Sequence, residues 1–112
     1  MKINYYTRNM NINKKITMFL LAFIFAGLSQ VAAQSDLENG ISAVNRGDYL
    51  NAVALLKRAV SKDSKSYDAN LYYGIALYQT GSLKDAEKYI KKAVSIDNEK
   101  PEAYSSLGEI YT

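Results

Sequence analysis

The chain has 112 residues, with 14 lysines and arginines, 11 aspartates and glutamates, and neither cysteine nor histidine. Without cysteine there is no disulfide, no thiol nucleophile and no lipid-attachment cysteine after the leader, and without histidine the commonest general base and metal ligand is missing. The sequence also has no phosphate-binding loop, no catalytic serine motif and no metal-ligand spacing. We therefore predict a protein that is not an enzyme and that holds no cofactor and no metal.

The first 33 residues have the three parts of a secretory signal peptide. Four basic residues and no acidic residue precede an uncharged apolar run from Ile16 to Leu28. Residues 31–33, Val-Ala-Ala, then provide the short side chains that a signal peptidase requires. We expect cleavage after Ala33, so that Gln34 becomes the first residue, and export to the periplasm or to the outside of the cell.

An uncleaved membrane anchor is the alternative for this leader. Ser29 and Gln30 end the apolar run short of the roughly 20 residues that a spanning helix needs, which favours cleavage. The translation start is also open, because Met10 or Met18 would give a shorter leader than Met1.

The net positive charge of the whole chain comes from this leader. Residues 34–112 carry ten basic and eleven acidic residues, so their net charge is −1, against +3 for the whole chain. The lysines between positions 84 and 92 are interleaved with Asp85 and Glu87, which is typical of a solvated helix face. We therefore expect no nucleic-acid partner and, after removal of the leader, no membrane partner.

A repeat with a period of 34 residues organises the rest of the chain. Ten residues recur 34 positions later, and the same frame begins a third time at Pro101. A fixed period of this length indicates a repeat architecture. The recurring residues of the first repeat are Leu37, Gly40, Ile41, Gly47, Ala52, Lys57, Ala59, Val60, Ser61 and Asp63.

Each repeat is predicted to form two helices joined by a turn. Apolar residues from Leu71 to Tyr78 are spaced by three and four, which is the pattern of a helix face. Gly81 should end this helix in the left-handed conformation, and Ser82 with Asp85 predicts a capping box for the next helix. Residues 47–48, Gly-Asp, predict the same turn and cap in the first repeat.

Small residues are predicted where the paired helices touch. A larger side chain than that of Gly74 would push the two helices apart, and Ala86 and Ala93 allow the second helix to approach closely. Asp63 and Asp97 follow the second helices and are predicted to be turn residues.

Together these features resemble the tetratricopeptide repeat family. The resemblance covers about residues 34–112 and implies an all-α solenoid of helix-turn-helix units. The repeats would span about 34–66, 67–100 and, as a partial repeat, 101–112. Two departures are mild: Asp36 and Asn70 replace a bulky residue of the first helix, and Ser64 and Asn98 replace the proline between repeats. The matching residues are Gly40, Gly74 and Gly108 in the first helices, Gly47 and Gly81 in the turns, Tyr49 and Leu83 after them, and Ala52, Ala59, Ala86 and Ala93 in the second helices.

The resemblance implies a binding groove lined by the first helix of each repeat. No lysine or arginine occupies the implied positions, so a clamp for a peptide carboxylate is not expected. The alternative for Leu37, Ile41, Leu71 and Ile75 is packing between neighbouring repeats. The implied groove residues are Leu37, Ile41, Val44 and Asn45, then Leu71, Ile75, Tyr78 and Gln79, then Ser105, Glu109 and Thr112.

The sequence therefore predicts an exported, non-catalytic module that binds a protein or peptide segment in this groove. Two alternatives remain: the front of a larger exported protein with an appended enzyme or sensor domain, and a membrane-tethered assembly factor. Because the third repeat is partial, self-association through it is a further expectation.

Overall fold

The computed structural model describes residues 34–112, and the predicted leader lies outside this range. Five helices and no strand occur in the described part of the chain, so the predicted all-α fold is confirmed. The first four helices form two hairpins, and the fifth begins the third repeat. The helices are α1 (34–45), α2 (Tyr49–Lys62), α3 (Tyr67–Gln79), α4 (Leu83–Ile96) and α5 (Pro101–Tyr111).

Glycine makes the turn inside each hairpin. Gly47 and Gly81 have φ angles of 78° and 89°, a region in which other residues are strained. The predicted left-handed ends of α1 and α3 are therefore confirmed. A Cβ added at either position would have no protein atom within 4 Å, so the backbone angle and not crowding requires glycine there.

The predicted helix caps are only partly correct. Asp48 and Ser82 do precede α2 and α4, but neither side chain accepts a hydrogen bond from a backbone amide of the helix, so the predicted capping box is wrong. The Asp48 carboxylate instead accepts a hydrogen bond of 3.3 Å from the Asn51 side-chain amide. Their ψ angle of 67° lies outside the extended region in which a capping side chain normally reaches the helix. Ser66, with a ψ angle of 119°, does cap α3: its hydroxyl accepts a hydrogen bond of 3.1 Å from the Ala69 amide.

Aspartates end the second helix of both hairpins, as predicted. Asp63 and Asp97 follow α2 and α4, and each carboxylate accepts a hydrogen bond from the amide two residues later, at 3.2 and 3.1 Å. These short Asx turns redirect the chain into the next repeat.

Close approach at two glycines fixes the pairing of helices within the hairpins. A Cβ on Gly40 would collide with the Leu56 side chain of α2. A Cβ on Gly74 would collide with Ile90 of α4 and would stand 3.1 Å from the Ala86 carbonyl oxygen. The predicted steric role of Gly74 is therefore confirmed. Because Leu56 and Ile90 are also 34 residues apart, the two hairpins repeat the same contact.

Two clusters of buried residues join the helices. The first extends from Ala43 of α1 to Ala86 of α4, and the second joins α3, α4 and α5 through Leu71, Ile90 and Ala103. Tyr67 reinforces the second cluster because its hydroxyl accepts a hydrogen bond of 3.2 Å from the Ala103 amide. Burial raises the pKa of this tyrosine. Between residues 34 and 112, no helix is both long and apolar enough to cross a membrane.

Candidate functional site

The structure distributes the predicted groove residues over α1, α3 and α5 at matching repeat positions. Leu37, Ile41 and Val44 of α1 are half-buried, as are Ile75 and Tyr78 of α3. Amides and a carboxylate supply the polar part of this surface. The exposed members of the set are Asn45, Gln79, Ser105, Glu109 and Thr112.

Leu71 differs from the other predicted groove residues. Only 3% of its surface is exposed, and it packs with Tyr67, Ile90 and Ala103 in the second buried cluster. This burial favours packing between repeats, which was the alternative for this residue. Ile75 packs partly against the same cluster, and its exposed part still faces solvent.

Tyr78 connects the second repeat to the third. Its ring packs partly against the first buried cluster, and its hydroxyl lies 3.4 Å from the Glu109 carbonyl oxygen of α5. A hydroxyl hydrogen bond of this length is weak. Tyr78 and Glu109 are therefore brought together by the fold, and most of the stabilisation from Tyr78 comes from its ring.

Gln79 lies at a cleft between the two hairpins. The cleft has a volume of about 390 Å³, and the turn after α1 forms its other wall. Leu50 is 79% exposed beside it and was not predicted as a site residue from the sequence. The residues that line the cleft are Gly47, Asp48, Tyr49, Leu50, Gln79 and Thr80.

A second cleft, of about 430 Å³, lies where α3 and α5 begin. Asp68 and Glu102 occupy matching positions in the two helices, and Tyr72 adds a half-buried aromatic ring. These residues were not predicted from the sequence, although the spacing of 34 between the two acids was visible. The Lys100 ammonium lies 4.5 Å from the centre of the Tyr67 ring at the edge of this cleft. The other lining residues are Leu71, Asp97, Glu99 and Pro101.

Comparison with known proteins gives the family of the chain. A tetratricopeptide repeat family profile matches residues 37–111, which include all of α2 to α5 and most of α1. The chain belongs to the tetratricopeptide repeat family.

One known protein is similar to this tetratricopeptide repeat chain in sequence, and one solved structure is similar to it in fold. Superkiller protein 3 of Schizosaccharomyces pombe is 30% identical over 64 residues, which are 57% of this chain but 5% of that protein. The second TPR of Spaghetti (RPAP3), solved bound to the HSP90 peptide SRMEEVD, superimposes with a TM-score of 0.66. That match has 20% sequence identity and covers 71% of this chain and 74% of the other. It shows that the fold is shared.

The first helices of the repeats, α1, α3 and α5, form the first-helix surface of this tetratricopeptide repeat chain. The side chains at the predicted groove positions on this surface are neutral or acidic. The predicted groove positions contain no lysine or arginine and one acid, Glu109. Asp68 and Glu102 add negative charge at the beginning of α3 and α5. The surface can therefore offer apolar contact, amide hydrogen bonds and negative charge.

The outer surface of α4 is different because it carries four lysines and an ion pair between Lys91 and Glu87. The Lys91 ammonium lies 2.6 Å from the Glu87 carboxylate, which also accepts a 2.6 Å hydrogen bond from the Tyr111 hydroxyl. Hydrogen bonding to Glu87 raises the pKa of Lys91, and the bond from Lys91 lowers the pKa of Glu87. In the described part of the chain, no group of three or more acidic residues is placed to hold a metal ion.

Proposed function

We propose that this chain is a non-catalytic module that binds an extended segment of another protein along the first-helix surface. The observation that carries the proposal is the repeated pairing of a half-buried apolar residue with an exposed amide. Val44 and Asn45 end α1, and Tyr78 and Gln79 end α3. An aromatic ring supplies contact area, and a side-chain amide can both donate to and accept from a peptide backbone.

The bound segment is expected to be apolar with neutral or basic side chains. The RPAP3 repeat was solved with SRMEEVD, a peptide rich in acids. An acidic peptide would meet Glu109, Asp68 and Glu102 here, and no lysine or arginine occupies the predicted groove positions. Like charges brought together disfavour binding, so charge complementarity supports a ligand of the opposite sign.

The test is selection of peptides from a random library, followed by affinity measurement with variants of the chain. Tyr78→Ala should weaken binding of a selected peptide about tenfold, equivalent to about 1.4 kcal/mol. Tyr78→Phe should bind nearly as well as the parent, because the hydroxyl makes only the long contact to Glu109. Helical circular dichroism recorded beside each titration separates lost binding from lost folding.

Lys91→Ala is the matched control because Lys91 lies on the outer surface of α4 and pairs with Glu87. It should bind the selected peptides as the parent does. Normal binding by Tyr78→Ala together with loss by Lys91→Ala would contradict the groove and place the interaction on the outer surface. Selection of predominantly acidic peptides would contradict the proposed ligand chemistry but not the groove.

We also propose that the module works outside the cytoplasm after its leader is removed. The support is the sequence of residues 1–33, with its basic start, its apolar run from Ile16 to Leu28 and its short side chains at 31–33. Intact-mass measurement of the protein recovered from an exported fraction should give a chain that begins at Gln34. A chain that still contains residues 16–33 would support the membrane-tethered alternative instead.

A further inference from the structure

Gln34 becomes the first residue when the leader is removed as proposed above, and its side chain then lies close to the new α-amine. In glutamine the carboxamide carbon Cδ is placed so that attack by the α-amine of the same residue closes an unstrained lactam ring. Such an attack within one residue is strongly favoured over the same reaction between separate molecules. An α-amine has an ordinary pKa of about 7.7–8.0, so part of it is unprotonated and nucleophilic at neutral pH. Gln34 therefore carries both reactants of a cyclisation.

The fold leaves this end of the chain accessible. Gln34 is exposed at the beginning of α1, and Ser35 beside it is exposed too. The Gln34 carboxamide donates a hydrogen bond of 3.1 Å from Nε2 to the Glu38 carboxylate, which lies one turn further along the helix. A side-chain pair of this kind on a helix surface contributes little to stability. The carboxamide can therefore leave Glu38 and turn back towards the α-amine at little cost.

The residues that follow attach α1 to the rest of the fold. The Asp36 carboxylate contacts the Lys62 ammonium of α2 at 3.0 Å and the Arg58 guanidinium of α2 at 3.3 Å. Leu37, the next residue, packs partly against the first buried cluster. The reactive residue thus stands two positions before the first contact between α1 and α2 that Asp36 makes. Ring closure at Gln34 therefore leaves the packing of α1 unchanged.

We propose that Gln34 is a modification site that cyclises to pyroglutamate after the leader has been removed, and this inference rests on the export proposed above. The α-amine nitrogen forms a bond to Cδ, the Cδ–Nε2 bond breaks, and Nε2 leaves as ammonia with a proton from the α-amine. One amide replaces another, so the reaction consumes no oxidant, reductant or further reactant. It also removes a positive charge from the beginning of α1, where the helix dipole disfavours a cation.

Cyclisation protects the part of the proposed groove that α1 contributes. Aminopeptidases hold their substrate by its free α-amine, and a pyroglutamyl chain has none. Helix ends that are exposed are also the places where proteolysis of a folded domain begins. Stepwise removal of residues from this end would first break the ion pairs of Asp36 and would then reach the groove residues. The groove residues on α1 are Leu37, Ile41, Val44 and Asn45.

The test is mass spectrometry of the full chain recovered from an exported fraction. We expect the mass of residues 34–112 less one ammonia. Because trypsin cleaves after Arg46, the peptide 34–46 contains the modified end of the chain. Fragmentation of this peptide should place the loss of ammonia on Gln34.

The same spectra separate failure of this inference from failure of the export proposal. A chain that begins at Gln34 with a free α-amine would overturn the modification and leave export with cleavage intact. Loss of ammonia located at Asn39, which precedes Gly40, would do the same, because an asparagine before a glycine can also lose ammonia. A chain that still contains residues 16–33 would overturn both proposals.

Gln34→Asn is the matched control, because its side chain is one methylene shorter and cannot close an unstrained ring with the α-amine. The exported variant should keep its ammonia and its free α-amine. A nonspecific aminopeptidase should leave the parent chain intact and remove residues from the beginning of the variant, while circular dichroism checks that both are equally helical. Loss of ammonia from the variant, or equal trimming of the two chains, would overturn the proposal.

Discussion

Gly74 and Gly108 occupy the same position in successive repeats, yet their surroundings are opposite. Gly74 is covered by Ile90 and by the backbone of α4, whereas a Cβ added to Gly108 would meet nothing within 4 Å. The residues one turn away follow the same contrast: Asn70 is fully buried, and its equivalent Tyr104 is 49% exposed. The same repeat position is therefore tightly packed in the second hairpin and exposed in α5.

The difference shows that a repeat residue acquires its role from the helix packed against it. A glycine in a helix lowers stability by about 1 kcal/mol relative to alanine, and close approach of a neighbouring helix is what offsets this cost. In α3 that approach is present, and in α5 it is not. The contrast between the buried Asn70 and Gly74 of α3 and the exposed Tyr104 and Gly108 of α5 can be tested by substitutions at these matching positions.

The largest difference in the free energy of unfolding is expected when leucine replaces Gly74 in one variant and Gly108 in another. Gly74→Leu should lower the free energy of unfolding by about 1–3 kcal/mol, because the new side chain has to displace Ile90 and the α4 backbone. Gly108→Leu should leave it unchanged or raise it by up to about 1 kcal/mol, because a better helix former enters open space. Urea denaturation of both variants measures the difference. Equal losses would mean that Gly108 is covered in solution.

A smaller difference in stability is expected at the positions one helical turn before the two glycines, Asn70 and Tyr104. The buried Asn70 amide donates to the carbonyls of Ser64 and Ser66, at 3.1 and 2.7 Å, and so holds the loop between α2 and α3. Asn70→Ala should lower the free energy of unfolding by about 1–2 kcal/mol, because the Ser64 carbonyl loses this donor and the Ser66 carbonyl keeps only the backbone amide of residue 70, at 3.2 Å. Tyr104→Ala should cost less than about 1 kcal/mol. If thermal unfolding shows a larger loss of stability for Tyr104→Ala than for Asn70→Ala, this expectation is contradicted.

The smallest effect is expected at the equivalent residue of the first repeat, Asp36. Its carboxylate contacts the Lys62 ammonium at 3.0 Å and the Arg58 guanidinium at 3.3 Å. The hydrogen bond from Lys62, helped by the charge of Arg58, holds the pKa of Asp36 below its ordinary value of 3.8. A carboxyl group with a lowered pKa stabilises the fold above its ordinary pKa, and this contribution is lost as the pH falls through the lowered value.

Asp36→Asn should therefore lower the free energy of unfolding by less than about 1 kcal/mol at neutral pH, since Arg58 and Lys62 are exposed. Added salt should reduce this loss of stability. The loss should disappear as the pH drops below the lowered pKa of Asp36. Unfolding curves of parent and variant across the acid range provide the measurement. A loss that is independent of pH would show that Asp36 acts through packing and not through its charge.

Much of the fold was predictable because the repeat encodes contacts at short range. The period of 34, the apolar spacing and the turn glycines predicted two hairpins and a further helix, and the structure confirms them. The caps predicted at Asp48 and Ser82 are not formed, because a serine or aspartate before a helix caps it only if the backbone there is extended, and the sequence did not reveal that backbone angle. The sequence likewise could not separate Leu71, which is buried between repeats, from Ile75, which is partly free.

The sequence by itself determined the architecture: five helical segments, the glycine turns between them and the small residues at which paired helices approach. These are local properties that spacing and backbone preference specify. Only the tertiary structure decided which surfaces remain free. Burial depends on residues distant in the chain: Ala103 packs with Tyr67 and Leu71 in one buried cluster, whereas none of the described residues 34–112 covers Gly108. The repeat pattern alone therefore does not distinguish the exposed Gly108 of α5 from its buried equivalents, Gly40 in α1 and Gly74 in α3.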